Sequence, residues 1–276
     1  MLTFGRLLHL EGLDDNERQR KLPETMSHIN IPKPIRTVWE KAPRVQIIAR
    51  ESAVKNHERY GAAKAGDNEA AVELVTDIVT EDAIKRIRRD IRGRDPLLIP
   101  VHALETESVN TIPMALAIYL ADKLDLVVNT DVLQANRVSH TSASGYHRLA
   151  TPAIFEGEVI EGAEYYLVDD FVGQGGTLAN LRGFIEHAGG IVIGATTLTG
   201  QRRSAILAPS QETLEKLGVK HGDLEEWWQK VFGYGFDFLT ESEARYLFRS
   251  SDADRIREGI IAAARAGNQR DDAGDD

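Results

Sequence analysis

The chain has 276 residues, 42% of them hydrophobic and 28% charged, which suits a globular protein of one large or two small domains with a sizeable core. A net charge of −10 argues against broad binding to nucleic acid. The absence of cysteine removes disulfides, thiolate metal sites and cysteine nucleophiles, and fits a reducing cytoplasm. The opening MLTFGRLLHLEGLDD has too short an apolar run for a signal peptide, and no run approaches the roughly 20 apolar residues of a membrane span.

Residues 1–60 read as an irregular arm. Asp14 to Lys21 is charged, and Pro23, Pro32, Pro34 and Pro43 break any long helix. Val45-Gln46-Ile47-Ile48-Ala49 suits a strand. Ala70, Val72, Leu74, Val75 and Ile78 then predict an amphipathic helix. Thr80-Glu81-Asp82 predicts the N-cap and acidic first turn of a second, through Ile84, Ile87 and Ile91. Its Lys85, Arg86, Arg88 and Arg89 read as a solvated basic face.

Pro96 to Val101 predicts a buried strand, His102 to Thr111 a polar loop, and Ile112-Pro113 the start of a helix reaching Ala121. Leu124 to Val128 suggests a further strand. Gln134 to Phe155 has no clear periodicity. It is dense in groups suited to phosphate or base: Asn136, Arg137, His140, Thr141, Ser142, Ser144, Tyr146, His147 and Arg148.

The most informative stretch is EYYLVDDFVGQGGTLANLRGFIEH, Glu164 to His187. Tyr165 to Val168 reads as a strand buried on both faces, followed by Asp169 and Asp170. Phe171-Val172-Gly173-Gln174-Gly175-Gly176-Thr177 then reads as a turn, and Leu178, Leu181, Phe184 and Ile185 as the apolar face of a helix. Glycines let a ligand approach the main chain, and consecutive amides at such a turn form an anion nest. The helix starting near Thr177 adds unpaired N–H donors and the positive end of its dipole. The acids suit sugar hydroxyls, or Mg2+ held through water. A phosphate cup beside such a grip suits a ribose 5-phosphate. A Walker loop is excluded because no Lys follows the glycines, and the dinucleotide fingerprint because acids precede them.

Leu167-Val168-Asp169-Asp170-Phe171-Val172-Gly173-Gln174-Gly175-Gly176-Thr177 resembles the PRPP-binding motif of type I phosphoribosyltransferases. The resemblance implies a parallel twisted sheet flanked by helices. It implies transfer of ribose 5-phosphate from PRPP to a small-molecule, nucleobase-like acceptor, with pyrophosphate leaving and Mg2+ as cofactor. It implies that Asp169 and Asp170 hold the ribose hydroxyls or Mg2+, and that Gly173, Gln174, Gly175, Gly176 and Thr177 hold the 5-phosphate. By position, His102 to Thr111 corresponds to the pyrophosphate loop, with His102, Asn110 and Thr111 as donors. It carries two Glu and no Gly, Lys or Arg, unlike the family's usual loop. The polar stretch from Gln134 corresponds to a mobile flap, with Arg137 and Arg148 first and His140 and His147 second as groups for the leaving pyrophosphate. Hypoxanthine-guanine-type members carry an acid where Gly173 stands, so the turn is nearer the orotate and adenine branches.

Beyond the motif, Ile191 to Leu198 predicts the next strand after Gly189-Gly190, and alternating strands and helices imply a parallel sheet. Helices are expected at 211–217, at 223–230, through Leu247 from a capping box at Thr240-Glu241-Ser242-Glu243, and from Asp254 to Ala266. Trp227, Trp228, Phe232, Tyr234, Phe236 and Phe238 suit either a plain core or a stacking surface for a base. The expected organisation is an arm or hood over 1–60, an α/β core over 61–200, a mainly helical extension over 201–268 and an acidic, disordered tail over 269–276. Family members are often dimers, so a cytoplasmic homodimer is expected, with no membrane partner. The alternative function is a non-catalytic PRPP- or nucleotide-binding regulator on the same fold. Other sugar-phosphate chemistry, such as hydrolysis, is a third reading.

Overall fold

A computed structural model describes residues 31–40, 44–103, 110–136 and 145–271. Its strands are β1 (Val45–Ile47), β2 (Leu97–Pro100), β3 (Val132–Gln134), β4 (Phe155–Gly157), β5 (Glu164–Val172) and β6 (Ile191–Gly200). β1, β6, β5 and β2 lie side by side in that order as a four-stranded parallel sheet, while β3 and β4 form a separate antiparallel pair. Helices α1 (Glu51–Lys55), α2 (Tyr60–Lys64), α3 (Asn68–Ile78), α4 (Glu81–Ile91) and α5 (Ile112–Leu124) come first. Next are α6 (Gly145–Ala150) and α7 (Gly176–His187), and then α8 (Gln211–Phe232), α9 (Glu241–Phe248) and α10 (Ala253–Asp271). The fold is an α/β parallel sheet flanked by helices.

β5 explains the layering. Successive side chains of a strand point to opposite faces. Tyr166 and Val168 therefore pack among residues of α3, α4 and α5, while Tyr165 and Leu167 pack with Leu178, Leu181 and Ile185 of α7. A strand covered on both faces reads as the near-continuous apolar run seen in the sequence. A separate cluster joins α8, α9 and α10, with Trp228, Phe232, Tyr234 and Phe236 buried in it. These aromatic side chains form core, not an open stacking face.

Local chemistry sets the helix ends. Thr80 Oγ1 accepts from the Ala83 amide at 3.3 Å, as its position predicts. Thr240 and Glu243 complete the expected capping box of α9. The two helices expected at 211–217 and 223–230 are present and together make up α8, meeting at a kink where His221 leaves helical geometry at φ −134° and ψ 30°. Leu124 to Val128 is not a strand. Leu124 ends α5, Asp125 turns left-handed at φ 57°, and only Val128 bridges to Leu98 of β2.

One glycine in the sheet is required by a close approach. The register between β5 and β6 slips at Tyr165/Tyr166, and Tyr166 stands opposite Gly194. The Tyr166 ring lies where a Gly194 side chain would be, and its hydroxyl donates to Asp90 of α4 at 2.9 Å. Gly194→Ala is expected to destabilise the protein by about 1–3 kcal/mol, the usual cost of overpacking. Urea unfolding at equilibrium checks this, and a midpoint equal to the wild type would contradict it.

Residues 31–40 run along α7. The Arg182 guanidinium donates to Val38 O at 3.0 Å, and Trp39 Nε1 donates to Leu239 O at 2.9 Å. A side chain at Gly183 would collide with the Ile35 main chain. The arm therefore lies between the sheet layer and the C-terminal helices.

Candidate functional site

The chain leaves β2 towards α5 on one face of the sheet and leaves β5 towards α7 on the other. β2 and β5 are adjacent and parallel. Loops that diverge from neighbouring carboxyl ends open a crevice, the usual ligand position in an open α/β sheet.

The turn from β5 into α7 forms one wall. β5 continues to Val172, two turns of the pleat beyond the point where the sequence suggests the strand ends, so the acids lie within it. α7 begins at Gly176, after Gly175 takes φ 84°, a left-handed conformation suited to glycine. Among the described residues, the amides of Gln174, Gly175, Gly176 and Thr177 donate to no protein acceptor. The Thr177 hydroxyl is half-buried in the same turn. The carbonyls point elsewhere: Gln174 O accepts from Thr240 Oγ1 at 2.6 Å, and Gly173 O accepts from Ser204 Oγ. Consecutive free amides at a helix start, with the dipole behind them, form an anion site. The back of the turn is filled, since added Cβ atoms at Gly175 and Gly176 would lie 2.7 Å from Leu207 Cδ2 and 2.6 Å from Glu243 Oε1.

Asp169 and Asp170 differ in surroundings. Strand alternation puts Asp169 on the face of Tyr165 and Leu167, which is the α7 face, and Asp170 on the face of Tyr166 and Val168. Asp169 is buried, and its Oδ1 accepts from the Asp170 amide at 2.8 Å. Burial first, and then the Asp170 charge, raise its pKa well above the ordinary carboxylate range. Asp170 is ion-paired with Lys64 of α2 at 2.8 Å. Burial works against the Lys64 ammonium, but Asp170 outweighs it and raises the Lys64 pKa. The two carboxyls remain close enough to act on each other, and Lys64 is ion-paired with Asp170. Asp169 stands on the side of the anion turn, and Asp170 is already neutralised.

The remaining expected site residues are more dispersed. Arg148 on α6 reaches the turn, its Nη1 lying 2.5 Å from where a Gly173 side chain would begin. His147 lies beside it in the chain, on the same short helix. His102 follows β2, with Nδ1 3.1 Å from Pro100 O. Asn110 Oδ1 accepts from the Ile112 amide at 3.2 Å at the start of α5. The Thr111 hydroxyl donates to Ala63 O at 3.1 Å, which ties it to α2. Arg137, His140 and residues 104–109 lie outside the described residues, as do 1–30 and the end of the tail. Lys64, Ser204, Thr240 and the Arg36–Glu243 pair have no local sequence signal marking them as parts of the site, because their partners are far away in the chain.

Among the described residues no group of three or more His, Cys, Asp or Glu could hold a metal ion by itself. Mg2+ is commonly held by one or two carboxylates together with substrate oxygens and water. Asp169 fits that role, because its buried carboxylate has no ion pair among the described residues.

No protein-family model matches the chain. The chain is 40% identical over 229 residues to Protein TraN of Escherichia coli, covering 83% of this chain and 51% of that protein. It is 35% identical over 181 residues to an uncharacterized protein of Haemophilus influenzae, covering 65% of this chain and 40% of that one. The chain thus spans about half, or less, of the curated relatives it matches. Among solved structures it is similar to an adenine phosphoribosyltransferase from Leishmania donovani, at 13% identity and TM-score 0.33, over 61% of this chain and 78% of that one. It is also similar to a hypoxanthine phosphoribosyltransferase from Staphylococcus aureus, at 11% identity and TM-score 0.32, over 52% of this chain and 72% of that one.

Proposed function

We propose that the protein is a phosphoribosyltransferase that moves ribose 5-phosphate from PRPP to a nucleobase-like acceptor and releases pyrophosphate. The observation that carries this reading is the run of free amides from Gln174 to Thr177 that follows the buried Asp169 carboxylate at the end of β5. The amides and the Thr177 hydroxyl receive the 5-phosphate, and Asp169 accepts from a ribose hydroxyl. Asp170, held by Lys64, fixes the strand beneath. Arg148 is placed at Gly173 to face an anionic group of the bound donor. The bond from the anomeric carbon to pyrophosphate oxygen breaks with its electron pair leaving on oxygen, and an acceptor nitrogen bonds to that carbon. Positioning and charge stabilisation carry the acceleration, since developing positive charge on the ribose faces a fixed carboxylate. Mg2+, when bound through Asp169 and substrate oxygens, supplies neutralisation of the pyrophosphate charge.

A non-catalytic PRPP-binding regulator is the second reading. It is favoured by the acidic loop after β2 and by the structural bonds of Asn110 and Thr111. A homodimer and a cytoplasmic location remain part of the first reading. The test is incubation with PRPP, Mg2+ and a panel of nucleobases, following pyrophosphate. Release with at least one base is expected. PRPP at 100 times its Kd should also add about 2.7 kcal/mol to stability. Stabilisation without turnover on any base would favour the regulator, and neither effect would exclude both.

A further inference from the structure

We propose that Thr240 and Ser204 are positioning residues that aim the amides of the β5–α7 turn, making the C-terminal helical segment the back plate of the anion site. This rests on the reading of that turn as a phosphate site. In a trans peptide unit the carbonyl and the following N–H point in opposite directions. Thr240 Oγ1 holds the Gln174 carbonyl at 2.6 Å, which turns the Gly175 amide away from α9 and towards the crevice. Ser204 Oγ holds the Gly173 carbonyl and does the same for the Gln174 amide.

Both hydroxyls are buried and locked. Thr240 Oγ1 also accepts from the Glu243 amide at 3.1 Å, and a hydroxyl has only one proton to give, so that proton is committed to Gln174 O. Ser204 Oγ lies 2.9 Å from Ser242 Oγ at the same helix start. Leu207 and Glu243 fill the space behind Gly175 and Gly176, so the turn cannot swing backwards. Donors that are set before the ligand arrives need no reorganisation when it binds. The cap of α9 therefore has two uses: it starts a helix and fixes the direction of a neighbouring anion nest.

Calorimetric titration of the full chain with ribose 5-phosphate tests this, with melting temperatures measured in parallel. Thr240→Val and Ser204→Ala should each weaken binding about three- to tenfold, the consequence of one lost neutral hydrogen bond. Thr240→Ser should stay within about twofold of the wild type. A role confined to capping would lower the melting temperature of Thr240→Val and leave its affinity unchanged. Wild-type affinity in both Ser204→Ala and Thr240→Val overturns the proposal while sparing the phosphate site. If Thr240→Val does not fold, Ser204→Ala decides, because it leaves the cap intact. A wild-type protein that binds no ribose 5-phosphate overturns the phosphate site and this proposal together.

Discussion

Asp169→Asn is expected to give a more stable protein that no longer recognises PRPP. The Asp169 carboxyl is buried on the α7 face of β5, and burial raises its pKa well above the ordinary value. The folded state therefore binds this proton more tightly than the unfolded state, whose pKa is about 3.9. Between that pH and the raised folded pKa, the native form carries the greater number of protons, so stability falls as pH rises. Asparagine removes the penalty and keeps an oxygen for the Asp170 amide. In EDTA at pH 7.5 the variant should be more stable than the wild type. At pH 4 and below the gain should vanish. The same substitution removes the fixed charge and the acceptor from the anion turn, so pyrophosphate release should fall at least about a hundredfold. Urea denaturation at the two pH values and a pyrophosphate assay read both halves. A variant that is less stable at pH 7.5, or fully active, contradicts this account of Asp169.

Arg36→Met should cost about 3–5 kcal/mol, the effect of leaving a buried charge without its partner. Arg36 and Glu243 are 3% and 4% exposed in their side chains and meet through paired contacts of 2.6 and 2.9 Å. Arg36 also donates to Asn180 of α7 at 2.8 Å and to Phe238 O at 3.1 Å. Burial alone would lower the Arg36 pKa, but the Glu243 carboxylate outweighs it and raises it. With arginine gone, Glu243 keeps its negative charge inside the protein. Glu243→Gln in the Arg36→Met background should recover most of the loss, because glutamine still serves the capping box. A double-mutant cycle by urea unfolding measures the coupling. Additive single effects would show that the pair contributes no coupling.

The features legible in the sequence are those written in neighbouring residues. The two-faced apolar run of β5, the glycine turn and the start of α7 are contiguous, as are the caps at Thr80 and Thr240. The α/β class follows from these patterns alone. The surroundings of Asp169 and Asp170 are not written locally: the strand runs past both, and the charge that meets Asp170 comes from a distant helix. Lys64 is invisible because its partner Asp170 is 106 residues away, and nothing local distinguishes it from any lysine ending a helix. The two helical patterns on either side of His221 are legible as separate helices, and the kink at that residue is where they meet. The burial of Trp228 and its neighbours is set by how α8, α9 and α10 pack, which periodicity does not specify.

β1 has a consequence for synthesis. Its neighbour in the sheet is β6, with Gln46 bonded to Thr196 150 residues later in the chain. At about 5–20 residues per second, the ribosome needs roughly 8–30 s to make that intervening length. Pairings this distant are slow to form, since loop closure must come before any contact rewards it. β1 thus has no sheet neighbour until β6 has been made, so the pairing at that edge of the sheet comes late in folding.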